Sequence, residues 1–362
     1  MMKKPVFYFL SFIKKNKGGI QMFRKVLAVT LILTMAVLVF AGCAPKAEAP
    51  ASGAPVEEVK PVTLKMSVTT ADGSTWTMGA QKFADLVKEK TGGKVEVKVY
   101  PNEQLSGGNQ GKGVEMLSSG AIDLSFHSNI IYSIMDEKFG VISLPWLLPD
   151  YETVDEKLAG SGGEAINKLL LEKGVVGLGF GENGFRQLTN SRREVKTVAD
   201  MNGLKIRIPG IKMYIALYKA LGANPTAMNF SEVFTSLQQK AIDGQENPLD
   251  VISSSKLYEV QKYMSVWNYS YDSIILGINK EKFESFSPEI QKAMQEAATE
   301  ACKYQVSLNR EKADAQLQDF KDRGMVVYEF TNDDMKPFIE AVQPVYDEYE
   351  GIMGKELIDS FR

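Results

Sequence analysis

Gly184-Phe185-Arg186-Gln187-Leu188-Thr189-Asn190-Ser191, followed by Ala199-Asp200-Met201-Asn202-Gly203-Leu204-Lys205-Ile206-Arg207-Ile208-Pro209-Gly210, is the stretch on which the fold is read. Within it, Leu204, Ile206 and Ile208 alternate with Lys205 and Arg207, the period of a half-buried strand, and Pro209-Gly210 ends the run. A short apolar strand precedes it at Gly174–Phe180. Helical segments are predicted after it over about 212–221 and 231–239. Toward the N-terminus, Val95, Val97 and Val99 alternate with Glu96 and Lys98, as do Ile122, Leu124 and Phe126 with their neighbours. Trp76, Phe83, Leu86 and Val87 recur at helical spacing until Thr91-Gly92-Gly93 stops them. Toward the C-terminus, Ser287-Pro288 opens a long helix, with serine as N-cap and proline in the first turn. Strands and helices that alternate in this way predict an α/β architecture.

The N-terminus reads differently. Val26–Phe40 is an unbroken apolar run, with Arg24 and Lys25 before it and Ala41-Gly42-Cys43 after it. A basic region, an apolar region and small residues ahead of a cysteine form an export leader, here 1–43, with lipid attachment at Cys43. The run is shorter than the roughly 20 apolar residues of a membrane-spanning helix. Met22 is a natural start for such a leader, which sets residues 1–21 apart from the fold. Residues 44–60, rich in Ala, Pro, Glu, Lys, Ser and Gly, read as a flexible tether. The body, 61–362, is long enough for two domains.

Composition removes several classes of function. A formal net charge of −3 supplies no basic footprint for nucleic acid. The single histidine, His127, excludes a two-histidine metal cluster, and no G-x-S-x-G elbow accompanies it for a serine triad. Of the two cysteines, lipid would consume Cys43. Cys302 lies on the helical stripe Ile290, Ala293, Met294, Ala297, Ala298 and Ala301 and reads as a buried core residue. Gly179-Phe180-Gly181-Glu182-Asn183-Gly184 spells G-x-G-x-x-G after a strand. The next residues, Phe185–Ser191, alternate and do not open a helix, so a dinucleotide site is disfavoured. Gly107–Gly113 fails as a P-loop, because Gly113 stands where Ser or Thr would bind magnesium. Arg207, near a strand's C-terminal end, and Arg186, at a glycine-rich strand exit, carry the fork of donors that matches a carboxylate. Spacing alone also allows both to be solvated strand residues.

The two quoted blocks resemble the solute-binding subunits of TRAP transporters (tripartite ATP-independent periplasmic, C4-dicarboxylate-binding type). The likeness continues through Leu221-Gly222-Ala223-Asn224-Pro225-Thr226, Phe230-Ser231-Glu232-Val233-Phe234 and Ala241–Leu249. It is also present in Tyr100–Leu105, Gly120–Leu124 and Leu144-Pro145-Trp146, so it covers about residues 62–350. The resemblance implies a two-lobed, periplasmic-binding-protein-like α/β fold of the Venus-flytrap kind. A ligand cleft lies between its lobes and a long helix spans both. Lobe I is expected over 61–183 plus 271–312, and lobe II over 184–270 plus 313–362.

By the same resemblance Arg207 makes a two-pronged contact with a ligand carboxylate and Arg186 adds a second positive contact. Asn247 supplies an amide and Phe230 packs on the ligand. Thr69, His127 and Ser128 face it from the other lobe, and Tyr269 lies at a crossing between lobes. The function implied is that of an extracytoplasmic receptor, not an enzyme. It would be a monomer without cofactor or metal, lipid-anchored on the outer face of the cytoplasmic membrane. It would deliver a small organic acid to one small and one large membrane subunit. A binding protein of an ABC importer and a secreted enzyme acting on an organic acid are the alternatives. The identity of the acid stays open. Gly210 replaces a ligand-touching polar residue of many relatives. Ser128 replaces the acidic residue of sialic-acid binders and disfavours that ligand. The aromatic segment Trp267–Tyr271 could line a pocket for a larger acid, although core packing suits Trp267 better.

Overall fold

The computed structural model describes residues 61–362. The expected leader, the tether and the lipid site Cys43 lie outside these residues. Eleven strands follow in chain order: β1 (Val62–Val68), β2 (Val95–Tyr100), β3 (Leu124–Ser128), β4 (Val175–Phe185), β5 (Gln187–Asn190), β6 (Lys205–Ile208), β7 (Asn224–Ala227), β8 (Gly244–Asn247), β9 (Tyr263–Val266), β10 (Tyr271–Asn279) and β11 (Val326–Glu329). They form two mixed sheets, one ordered β2-β1-β3-β10-β4 and the other β11-β9-β5-β8-β6-β7. The helices between strands cover both, so the architecture is α/β with two lobes.

The first sheet is built around β10, whose nine residues are all buried. It runs antiparallel to β3 on one side and to β4 on the other. Helix Thr75–Lys90 covers this sheet. Ser74 caps it by accepting a hydrogen bond from the Thr77 amide at 3.1 Å, and it stops where Gly92 and Gly93 take φ of +59° and +78°. Its face of Trp76, Ala80, Phe83 and Val87 joins Leu64, Met66 and Phe126 in the core. Burying Phe83 alone contributes about 2–3 kcal/mol.

Pro288–Asp322, a helix of 35 residues, starts at the Ser287 N-cap as its sequence requires. At 1.5 Å per residue it is about 50 Å long. Ala297, Ala301 and Cys302 on its first half sit in the core of the first sheet, and Phe320 near its end sits in the core of the second. One rigid element therefore serves both lobes.

The glycines of the G-x-G-x-x-G run have a packing role. A Cβ on Gly181 would fall 2.5 Å from Phe126 Cζ and 2.7 Å from Gln305 Oε1, and one on Gly179 would fall 3.0 Å from Cys302 Sγ. Their absent side chains let the long helix lie directly on β4. The run continues the strand to Phe185 rather than opening a helix, so β4 extends beyond the expected Gly174–Phe180. At Gly184, φ is +104°, a value that glycine adopts without steric cost.

The chain crosses between sheets twice within a small space. Only Arg186 separates β4 from β5, and only Trp267–Ser270 separates β9 from β10. The Arg186 amide donates to the Ser270 carbonyl at 2.9 Å. Gln187 Oε1 accepts from the amides of Trp267 and Asn268 at 3.0 and 3.2 Å. The last helices return toward the first sheet: Phe361 packs over Gly162, and Ser161 Oγ donates to the Ser360 carbonyl.

Candidate functional site

A cavity with an empty volume of about 340 Å³ opens between the two sheets, beside the paired crossings. From the second sheet it receives Arg207 at the end of β6, Asn247 at the end of β8, Pro209 and Phe230. From the first it receives Thr69, Thr70, Ser128 and Asp272. Arg186 comes from the crossing and Asn183 from the end of β4. Trp76, at the start of its helix, forms an apolar wall and donates through Nε1 to Asn183 Oδ1 at 3.1 Å.

The two arginines differ sharply in their surroundings. Arg186 is 3% exposed and spends its fork on the protein itself. Its Nε and NH2 pair with both Glu246 carboxylate oxygens, NH2 also reaches Asn247 Oδ1 at 3.2 Å, and NH1 lies 2.5 Å from Asp272 Oδ2. Burial works against its charge, but Glu246 and then Asp272 outweigh that and hold its pKa well above the ordinary value.

Arg207 is 2% exposed, and among the described residues no carboxylate forms an ion pair with it. Its Nε and NH2 donate to one backbone oxygen, that of Met228, at 3.1 and 2.8 Å. Its guanidinium carbon stands 5.7 Å from the centre of the Phe230 ring. Burial, reinforced by the neighbouring Arg186 charge, lowers its pKa to about 10. A buried cation without a counter-ion is costly unless an anion joins it. Arg207 therefore lines a cleft that is electrostatically incomplete.

Asp272 is the second residue of β10 and its only ionisable carboxylate. It accepts from Ser128 Oγ at 2.5 Å, from Asn183 Nδ2 at 2.7 Å and from Arg186. Burial raises its pKa even so. Glu246 lies below the cavity floor and is held from beneath by the Tyr269 hydroxyl at 2.6 Å. Contacts between the loops of the two sheets close the cleft around these groups. The amide and hydroxyl of Thr75 both donate to Asp250 Oδ2 at 3.0 Å, and Ser231 Oγ donates to the Gly108 carbonyl at 3.2 Å.

Of the residues expected at the ligand, Arg207, Arg186, Asn247, Phe230, Ser128 and Thr69 meet at this cavity. His127 and Tyr269 do not line it. His127, fully buried, turns toward Glu103, with Nε2 3.0 Å from Oε1 at an angle short of a linear hydrogen bond. Tyr269 belongs to an aromatic stack with Trp146, Trp267 and Tyr214 and reaches the site only through Glu246. Trp267 is core, 1% exposed, and Gly210 lies outside the cavity lining. Asp272 and Glu246 were not singled out from sequence. A lone carboxylate near the start of a strand with the apolar run Ile274–Leu276 is the available signal for the first. Asp272 also places an acidic group beside Ser128, so the serine does not by itself decide against sialic acid.

The bacterial extracellular solute-binding protein family 7 model matches residues 66–351, which include the whole of the second sheet and all of the first but the start of β1. The 2,3-diketo-L-gulonate-binding periplasmic protein YiaO of Escherichia coli is 35% identical over 280 residues, covering 77% of this chain and 84% of its own length. The C4-dicarboxylate-binding periplasmic protein DctP of Rhodobacter capsulatus is 32% identical over 301 residues, 83% of this chain and 90% of its own. A solved TRAP periplasmic solute binding protein from Ralstonia eutropha H16, with bound (S)-2-acetolactate, is similar with a TM-score of 0.81 at 34% identity. That likeness covers 83% of this chain and 97% of the solved one. Such coverage makes the similarity one of whole folded bodies rather than of a single motif.

Proposed function

The chain belongs to bacterial extracellular solute-binding protein family 7, and on that premise we propose that it captures a small organic acid by its carboxylate at Arg207 and delivers it to the membrane subunits of a TRAP transporter. The observation that carries the contact is the state of Arg207: a buried cation in a cleft, paired with no carboxylate among the described residues. The relatives' ligands support the class, since 2,3-diketo-L-gulonate, C4-dicarboxylates and acetolactate all carry a carboxylate.

Open lobes leave Arg207 to water, and a ligand that bridges both sheets shifts the population toward the closed arrangement. Phe230 then packs on the ligand, Asn247 presents its amide, and Ser128 and Thr69 contact it from the first sheet. The lobes correspond to 61–183 plus 271–312 and 184–270 plus 313–362, hinged where strands change sheet. The final helices reach back as a strap. The receptor works as a monomer and returns its ligand chemically unchanged. Cys43, after its basic and apolar leader, anchors it by lipid to the outer face of the cytoplasmic membrane. No helix among the described residues is long and apolar enough to cross a membrane.

A thermal-shift screen against organic acids and their neutral amides tests the carboxylate contact, because a ligand of the folded state alone raises Tm by mass action. A carboxylate should raise Tm in wild type and fail to do so in Arg207→Lys, whose point charge cannot reproduce the fork. Stabilisation by neutral or cationic compounds only, or equal affinity in Arg207→Lys, would refute the contact. Genes for a small and a large membrane subunit beside this one would support the TRAP assignment. An ATPase gene there would favour an ABC importer.

A further inference from the structure

Two arginines and two carboxylates meet at the cleft, and their balance restricts what it can accept. Arg186 is already shared between Glu246 and Asp272, so neither edge of its fork is available to a ligand without displacing one of them. Those two carboxylates exceed the charge of Arg186 by one, and Arg207 balances that excess in net charge only, since it forms an ion pair with neither of them among the described residues. A single ligand carboxylate pairs with Arg207 and leaves one excess negative charge, already held by hydrogen bonds from Ser128 and Asn183 to Asp272. A second ligand carboxylate finds no further cation in the lining, because among the described residues Arg186 and Arg207 are its only basic side chains.

The space beyond has the same character. A neighbouring cavity with an empty volume of about 630 Å³ shares Thr69, Gln110 and Phe230 with the first. Among the described residues it contains no basic side chain, and Glu103 at its edge is 2% exposed with its oxygens taken by Ser67, Thr69 and Ser106. The distal part of a ligand therefore meets the hydroxyls and amides of Thr69, Gln110, Asn102 and Ser231 beside the apolar Phe230 and Phe234, a lining that bonds alcohols and offers an anion no cation.

Resting on the receptor reading above, we infer that the cleft selects a monocarboxylic acid with hydroxyl groups on its distal carbons, and that Asp272 makes it discriminate against the corresponding dicarboxylic acid. Aldonate and aldarate pairs isolate this property, since they differ only in whether the terminal carbon is an alcohol or a carboxylate. The pairs are glycerate with tartronate, erythronate with meso-tartrate, and gluconate with glucarate. Each is titrated calorimetrically into the purified protein near neutral pH.

At least one aldonate should bind about 30-fold or more tightly than its aldarate, the scale of a like-charge contact in a poorly solvated site. Asp272→Asn should narrow that ratio. Glu246→Gln should narrow it as well, although Glu246 does not line the cavity. An aldarate that binds wild type as tightly as its aldonate, with both lost in Arg207→Lys, overturns the selectivity and leaves the carboxylate receptor standing. Binding that is indifferent to Arg207 overturns both readings. Failure of all six acids to bind at millimolar concentration overturns the selectivity. Should either carboxylate variant fail to fold, the wild-type ratios alone decide.

Discussion

Replacing each cleft arginine by methionine should move the stability of the ligand-free protein in opposite directions. In Arg207→Met the gain comes from removing an unpaired charge. Burial lowers its pKa from the ordinary arginine value to about 10, and at about 1.4 kcal/mol per pKa unit that charge costs roughly 3 kcal/mol in the empty cleft. Against this stand the two hydrogen bonds to the Met228 carbonyl, whose loss costs about 1–3 kcal/mol. The empty variant should thus be as stable as wild type or up to about 2 kcal/mol more stable. Arg186→Met leaves Glu246 and Asp272 buried without their cation and should lose about 3–5 kcal/mol. The assay is urea denaturation after refolding to strip bound ligand, with midpoints compared at constant slope. An Arg207→Met variant destabilised as much as Arg186→Met would refute the reasoning, because Arg207 would then be a structural residue and not a waiting ligand partner.

Packing and the buried acid Glu103 give two more outcomes. Gly181→Ala forces a methyl group to 2.5 Å from Phe126 and should cost at least about 2 kcal/mol by overpacking; a Tm equal to wild type would show that the long helix does not need the bare strand. At Glu103, burial opposes the charge, but His127, then Thr69 and Ser106, outweigh it and hold the carboxyl below its ordinary 4.5. A depressed folded pKa contributes stability above the unfolded value and loses it as pH falls through the folded value. The stability that wild type holds over Glu103→Gln should shrink as acid is added below 4.5, where the carboxyl takes up its proton. A difference independent of pH throughout would refute the ionised pairing.

Patterns local to the chain were enough for the elements and for most of the cleft's cast. Alternation placed β2 and β6, Ser287-Pro288 placed the start of the long helix, and ordered blocks around Arg186 and Arg207 identified the family. These signals are legible because strand period, capping chemistry and motif order are properties of neighbouring residues. They could not apportion the roles of the two arginines. Both look alike along the chain, each beside a strand end, and only the folded structure sets Arg186 between Glu246 and Asp272, 60 and 86 residues away. The same holds for His127, adjacent in sequence to Ser128 yet turned to the opposite face of β3, toward Glu103. Counter-ions are supplied by residues remote in sequence, so the folded arrangement alone settles which buried charge is satisfied by the protein and which one awaits a ligand.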